Sequence, residues 1–260
     1  MIFRRIKAHI EKENWFAVGV DFFIVVVGVF VGMQAQDWNE SRGNKRIVAE
    51  YIERLQAEIL IENQSHQNVI DYLSTTHAHG IAALESFKKP ADELDKDFLI
   101  DLYQASQSWN YRPNLSTYNE LLTTGRIGLF SDDNVRKAVS GYFAGRTLST
   151  ITIDKNTSTA FRTTIRSYMD NDVQTQIRNK CGGSYTLTKN AITYMKMPKS
   201  CDIDISDDLT KSQINELHTN AVIRRDLNFH IGSTEAALGS LVNGINAGNT
   251  ALAQLKVAGQ

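Results

Sequence analysis

Proline and cysteine are scarce in this sequence of 260 residues. The three prolines, Pro90, Pro113 and Pro198, lie between segments with a helical pattern. Because proline breaks helix interiors, this distribution permits long uninterrupted helices. The net charge of −1 gives no global electrostatic reason to expect nucleic acid or an acidic substrate as a partner.

Motifs that carry chemistry are also lacking. There is no H-E-x-x-H, no G-x-S-x-G, no phosphate-binding glycine loop and no Cys/His cluster with metal-ligand spacing. His66 lies on an apolar helical stripe, which is typical of a hydrogen-bonded core histidine, and His77 and His79 point about 200° apart on a helix. The sequence therefore predicts a protein that is not an enzyme and has no cofactor or metal, although catalytic groups from distant helices can converge without a motif.

A long apolar run near the N-terminus predicts a membrane anchor over residues 15–37. Residues 16–33 contain one charge, Asp21, and as a helix they are about 27 Å long, close to the hydrocarbon thickness of a bilayer. Trp15 and Trp38 bracket the run, as interfacial aromatics do. A buried helix of a soluble protein and a cleaved signal peptide are the alternatives. The run exceeds the usual apolar core of a signal peptide, about 7–15 residues, and no A-x-A site follows it, so an uncleaved anchor is favoured.

Basic residues on the two sides of the anchor predict its orientation. The positive-inside rule favours a cytoplasmic segment at residues 1–14 and an extracytoplasmic domain at residues 38–260. The prediction is a single-pass protein of the bacterial inner membrane with its bulk in the periplasm. The basic residues before the anchor are Arg4, Arg5, Lys7 and Lys12, and those that closely follow it are Arg42, Lys45 and Arg46.

Two cysteines, Cys181 and Cys201, enclose a segment rich in glycine, lysine and threonine that reads as a loop. In an oxidising compartment a disulfide between them would stabilise the fold by about 3 kcal/mol by restricting the unfolded chain. The alternative is a pair of unpaired, small core residues. Alternation in "YTLTKNAITYMKM" predicts a short hairpin inside this loop.

One face of the anchor carries an acid and small residues. Asp21, Gly28, Gly32 and Ala35 recur at spacings of seven, four and three, so they share a stripe. Gly28-x-x-x-Gly32 allows close helix approach, and a carboxylate in a membrane usually faces protein. The stripe predicts contact with another membrane helix, from a partner protein or a second copy. Alternatively, glycine is simply common in membrane helices and Asp21 extends to the headgroups.

The rest of the chain has helical periodicity and predicts an all-α protein, an antiparallel bundle of long helices behind the anchor. Thr117 with Glu120 reads as a capping box, and Gly125 as the glycine that ends that helix. One helix is predicted from Ser131 to the "CGG" at Cys181, and a last long helix from a cap at Thr210 with Gln213 through Leu255. The first stripe consists of Val48, Ile52, Leu55, Ile59, Val69, Leu73, Ile81, Leu84 and Phe87, interrupted by Glu62 and His66.

Two blocks resemble a bacterial family of uncharacterised membrane proteins, domain of unknown function 6090. The first is "MQAQDWNESR" at the end of the apolar run, with Asp21 at the acidic position that precedes it. The second is "YNELLTTGRIGLFSDDNVR", and together the blocks cover roughly residues 14–145. The resemblance implies the anchor and its junction but no activity, because the family has none that can be carried over. Matching positions are Gln34, Trp38, Asn39, Glu40, Arg42, Tyr118, Leu121, Gly125, Leu129 and Arg136, while Gln36, Asp37, Ile127, Phe130 and Val135 depart from the pattern.

These features favour a non-catalytic, membrane-anchored interaction or accessory subunit with membrane lipid and a membrane-protein partner or second copy as its contacts. The alternative is a periplasmic sensor, a ligand-binding bundle that signals through a membrane partner. The sensor reading rests on architecture alone, since long antiparallel helices behind an N-terminal span are typical of bacterial receptors.

Overall fold

The computed structural model describes residues 15–109, 112–187, 193–198 and 200–258. Contacts divide the chain into two compact units, Met1–Tyr51 and Ile52–Gln260. The basic residues predicted to orient the anchor, Arg4, Arg5, Lys7 and Lys12, lie outside the described residues.

The first helix, α1, extends over Trp15–Ser86 and contributes residues to both units. It ends four residues before Pro90, as proline chemistry predicts. In the second unit α1 buries Leu55, Ile59 and Leu73, which confirms the predicted stripe at these positions. Ile81, also predicted on the stripe, is 39% exposed, so the prediction is wrong there.

Besides α1, the described residues form helices of 8 to 38 residues and one hairpin. The helices are α2 (Lys96–Ala105), α3 (Ser116–Thr123), α4 (Asp133–Thr157), α5 (Ala160–Tyr168), α6 (Asn171–Cys181), α7 (Asp207–Thr219) and α8 (Ala221–Ala258). Two 3₁₀ turns occur at Ala91–Glu93 and Arg126–Leu129. Strands β1 (Ser184–Leu187) and β2 (Thr193–Lys196) pair antiparallel with Ser184 opposite Lys196. The predicted all-α class is confirmed, with this hairpin as its only sheet in the described residues.

The long helix predicted from Ser131 to Cys181 is wrong, because the chain forms three helices there. It breaks after Thr157 and again after Tyr168. Asp170 begins α6 with its carboxylate accepting from the Asp172 amide, and Asp132 caps α4 in the same way through Asn134. A cap one residue beyond the predicted Ser131 is the physical reason for the shifted start.

The predicted last helix is also two helices. Ser206, rather than Thr210, caps α7 by accepting from the Leu209 amide. The chain then leaves the helical conformation at Asn220, whose side chain accepts from the Val222 amide, and α8 begins at Ala221. An Asx turn of this kind competes with a continuing helix.

The predicted capping box at Thr117 is wrong as well. Leu115 occupies the cap position of α3 without a side-chain bond, and the Thr117 amide donates to Glu58 of α1 instead. Glu120 pairs with Arg54 of α1 rather than reaching back to the cap. Gly125 is confirmed as the residue that ends this helix region, since it adopts φ 68°.

Helices α1, α4 and α8 form the centre of the bundle. Arg146 of α4 lies against Gly244 of α8, whereas Thr159, just after α4, bonds His230 near the start of α8. Helices α4 and α8 are therefore antiparallel. The apolar core includes a larger and a smaller hydrophobic cluster among the described residues. The larger joins the end of α1 to α2, α5, α6, α7 and the first part of α8, and the smaller joins α1, Ile153 of α4 and the middle of α8.

The disulfide between Cys181 and Cys201 is present, with 5.4 Å between the Cα atoms. Cys181 is fully buried at the end of α6, and its carbonyl accepts from Gln104 Nε2 at 2.6 Å. The hairpin lies inside the closed loop, as predicted. The disulfide therefore ties the hairpin segment to the larger hydrophobic cluster through a residue of that cluster.

Candidate functional site

The apolar segment of α1 is the first candidate site. In the described residues α1 is the one helix long and apolar enough to cross a membrane. Its apolar window is exposed in the structure, and Phe22, for example, is 71% exposed. A water-exposed run of this length would be unfavourable in a soluble protein.

The predicted contact stripe lies on this exposed segment. Gly28 and Gly32 have open space where a side chain would stand, and Ala35 is exposed. The side chains of Asp21 and Trp15 lie outside the described residues. Trp38 is exposed, and the Arg42 guanidinium lies 4.7 Å from its ring centroid, a cation–π contact.

The residues of the second family-like block serve packing. Tyr118 stacks on Phe143 with 4.8 Å between ring centroids, and Leu121 is fully buried. Arg136 donates to the Phe130 carbonyl and to Asp133. This block is therefore a structural corner between α3 and α4. Asn39 and Glu40 of the first block are exposed on α1.

A second candidate site is a group of polar side chains inside the bundle, which we call the buried polar layer. It consists of Glu58, Glu62 and His66 of α1 with Tyr142 and Arg146 of α4, and each is at most 5% exposed. The three α1 residues follow one another at intervals of four, so they share one helix face. Polar groups with this degree of burial are costly unless they are paired.

Arg146 is the centre of the buried polar layer. Its Nη2 lies 3.5 Å from Glu62 Oε2 and also contacts the His66 ring, whose Nδ1 lies 2.9 Å from the Glu62 carbonyl. A neutral imidazole that donates from Nδ1 and accepts at Nε2 satisfies both contacts. The two glutamates also hold the start of α3 and the segment before it, because Glu58 accepts from the Thr117 amide at 3.0 Å and Glu62 from the Asn114 amide at 2.9 Å.

Burial shifts the protonation equilibria of this layer. It raises the pKa of Glu62 to about 6, against the opposing effects of the Asn114 amide and Arg146. Burial, with Arg146, lowers the pKa of His66 to about 3, so His66 is neutral at physiological pH. Burial also raises the pKa of Tyr142 to about 12. The layer therefore holds one permanent cation, a neutral imidazole and a carboxyl that exchanges protons near pH 6.

A cavity of about 290 Å³ lies between α4 and α8, next to this layer. Its volume is near the lower end of the range of small-molecule sites, about 300–1,000 Å³. The lining includes Tyr142 and Arg146 of the layer, together with Ser149 of α4 and Asn243 of α8. Small residues supply the space, namely Gly141, Gly145, Gly244 and Ala247.

Three other histidines lie outside the buried polar layer and have separate partners. His77 contacts Glu235 and His79 contacts Asp101, while His230 bonds Thr159 and the Ala105 carbonyl. In the part of the chain that the structure describes, no group of His, Cys, Asp or Glu is arranged to hold a metal ion.

Sequence reasoning placed His66 in the core but missed its partners. Arg146 continues the buried stripe of α4 after Val139 and Tyr142 at intervals of three and four, a signal present in the sequence. An arginine at a core position predicts a buried acid as its partner. The acid that pairs with Arg146 is Glu62, 84 positions earlier in the chain. A contact over this sequence distance cannot be identified from a single sequence.

Comparison of the chain with protein-family models, curated proteins and solved structures gives no match. The resemblance to family 6090 therefore stays a prediction, and function is argued from the residues.

Proposed function

We propose that the chain is a single-pass membrane protein whose N-terminal segment anchors a periplasmic helical bundle, and that it acts without catalysis as an interaction or accessory subunit. The observation that carries the proposal is the exposed apolar segment of α1 with its open glycine face at Gly28 and Gly32. In lipid, close backbone approach at such a face favours helix association.

Two features support the periplasmic side for the bundle. The disulfide between Cys181 and Cys201 is typical of an oxidising compartment. Basic residues before the anchor favour a cytoplasmic N-terminus. The family resemblance, an acidic residue entering an apolar span followed by the W-N-E-x-R junction, fits the same arrangement.

The partner is another membrane helix, from a different protein or a second copy of this chain. The double substitution Gly28→Leu and Gly32→Leu puts two bulky side chains on the contact face. We expect the double variant to weaken association by about tenfold or more, because the backbones can no longer approach. The measurement is gentle solubilisation from native membranes, the mass of the complex in mild detergent, and identification of the proteins that come with it.

Gly19→Leu is the matched control, because Gly19 lies on the same helix about 180° from Gly28 and also has open space around it. It is expected to retain the complex. A wild-type chain that is monomeric and without a co-purifying protein in mild detergent would overturn the proposal.

A second candidate function, a periplasmic sensor that passes a change to a membrane partner, is favoured by the cavity beside the buried polar layer. A cavity that reaches a buried arginine gives such a bundle a place for a small ligand. Sensing and subunit association are compatible, since a sensor of this kind needs the same membrane contact.

A further inference from the structure

The cavity between α4 and α8 is lined on one side by the guanidinium of Arg146. A Cβ placed on Gly244 would stand 2.4 Å from Arg146 Nη1, so the guanidinium extends to α8 and lies directly under a residue that lines the cavity. A side chain at Gly244 would therefore displace the guanidinium. Arg146 is 2% exposed, which means that its charge is desolvated and interacts strongly with whatever enters the cavity.

Two hydroxyl groups beside Arg146 are buried and have no hydrogen-bond partner among the described residues. They belong to Tyr142, which is 4% exposed, and to Ser149. Buried polar atoms are nearly always paired, by protein, water or ligand. Both residues line the cavity, and Asn243 adds an amide from α8.

Among the residues that line the cavity, Arg146 is the one with a charge, and on its α1 side it is paired with Glu62. Between Lys137 and Asp154 of α4, and between Glu235 and Lys256 of α8, the sequence contains one charged residue, Arg146. The guanidinium can only donate, and the hydroxyls of Tyr142 and Ser149 can also donate to an anion in the cavity. Arginine presents a planar fork that can donate two parallel hydrogen bonds to an anion such as a carboxylate.

We propose that this cavity binds a small carboxylate, whose oxygens accept hydrogen bonds from Arg146, Tyr142 and Ser149. The proposal rests on the sensing function, the second of the two above, and names its ligand class. The small lining residues set the size of the ligand, since a cavity of about 290 Å³ admits a molecule such as benzoate.

Binding should be coupled to a proton. On the α1 side Arg146 contacts Glu62, with Glu58 and His66 next to it. Between Lys137 and Asp154 of α4 the other titratable group is Tyr142, and α8 contributes none between Glu235 and Lys256. A bound carboxylate gives Arg146 a second anionic neighbour and favours the protonated form of Glu62. Because the pKa of Glu62 is raised to about 6, affinity should increase as pH falls toward that value, by at most about tenfold per pH unit.

The test uses the full chain in mild detergent and measures benzoate binding by calorimetry and by the shift in melting temperature at pH 7.5 and pH 5.5. We expect saturable binding of benzoate that is tighter at pH 5.5, and no binding of benzamide, its neutral counterpart. Gly145→Leu fills the cavity from a position with open space and should abolish binding. Gly239→Leu, on an exposed position of α8 outside the cavity, is the matched control and should bind as the wild type does.

Absence of benzoate, acetate and succinate binding at millimolar concentration would overturn the ligand class. Equal binding of benzamide, or binding of inorganic phosphate alone, would do the same. Benzoate binding that survives Gly145→Leu would place the ligand elsewhere and overturn the site. None of these outcomes affects the Gly28/Gly32 association experiment, so failure of this inference is distinguishable from failure of the subunit proposal.

Discussion

Replacing Arg146 with methionine is expected to lower the free energy of unfolding by about 3–5 kcal/mol, which is the usual cost of removing one member of a buried ion pair. The substitution leaves Glu62, 2% exposed, without its cation in the buried polar layer. It also removes the contact of the guanidinium with His66 and with the Tyr142 ring, 5.5 Å away. Urea titration of the full chain in mild detergent, followed by tryptophan fluorescence, measures the loss.

Arg112→Met is the matched control for this prediction. Arg112 pairs with Asp154 at 3.2 Å but its side chain is 72% exposed, so its removal should cost less than about 1 kcal/mol. Adding Glu62→Gln to Arg146→Met should restore part of the stability, with a coupling of about 1–3 kcal/mol between the two positions. If Arg146→Met costs no more than the control, the buried polar layer does not stabilise the bundle as described.

Replacing His66 with glutamine is expected to change how stability depends on pH. The pKa of His66 is lowered from 6.5 to about 3 by burial and by Arg146, so the folded chain excludes a proton that the unfolded chain binds. This effect destabilises the fold as pH falls through 6.5, by about 3 kcal/mol on reaching pH 4.5, at about 1.4 kcal/mol per pH unit.

Glu62 acts in the opposite direction over part of this range. Its pKa is raised to about 6, so the folded chain binds its proton more tightly and stability increases as pH falls from 6 to 4.5, by about 2 kcal/mol. In the wild type the two effects largely cancel. In His66→Gln the Glu62 effect is left, and the variant should gain stability on acidification relative to the wild type by about 3 kcal/mol between pH 7 and pH 4.5.

The measurement is urea titration of both chains at pH 7 and pH 4.5, compared as a difference so that shared titrations cancel. His77→Gln, which changes a histidine outside the buried polar layer, is the control. Parallel pH dependence of the wild type and His66→Gln would contradict the assignment of a neutral, proton-excluding His66.

The parts of the fold that sequence predicts well depend on local patterns. The apolar stripe of α1 follows from residue spacing, because Leu55, Ile59 and Leu73 recur on one helix face. The glycine that ends a helix at Gly125 is predicted from its neighbours along the chain. The disulfide is predicted from composition, because the sequence has only two cysteines. The stop before Pro90 follows from proline chemistry alone.

Other features depend on contacts that a single sequence does not reveal. Thr117 and Glu120 have the spacing of a capping box, yet their bonds go to Glu58 and Arg54 of α1, more than 55 positions away. Helix breaks at Thr157 and Asn220 depend on short turns that compete with a continuing helix at small energetic cost. The candidate site required the assembled bundle, because its members come from α1, α4 and α8.

The membrane orientation of the chain tests the account most directly, since both proposals place the bundle outside the cytoplasm. The measurement is labelling by a membrane-impermeant maleimide of Lys7→Cys and of Thr250→Cys, an exposed position of α8, in intact and lysed spheroplasts. The native cysteines are joined in the disulfide and do not react. The account predicts labelling of Thr250→Cys in intact spheroplasts and of Lys7→Cys only after lysis. Labelling of Thr250→Cys only after lysis, or recovery of the chain in the soluble fraction, would contradict it.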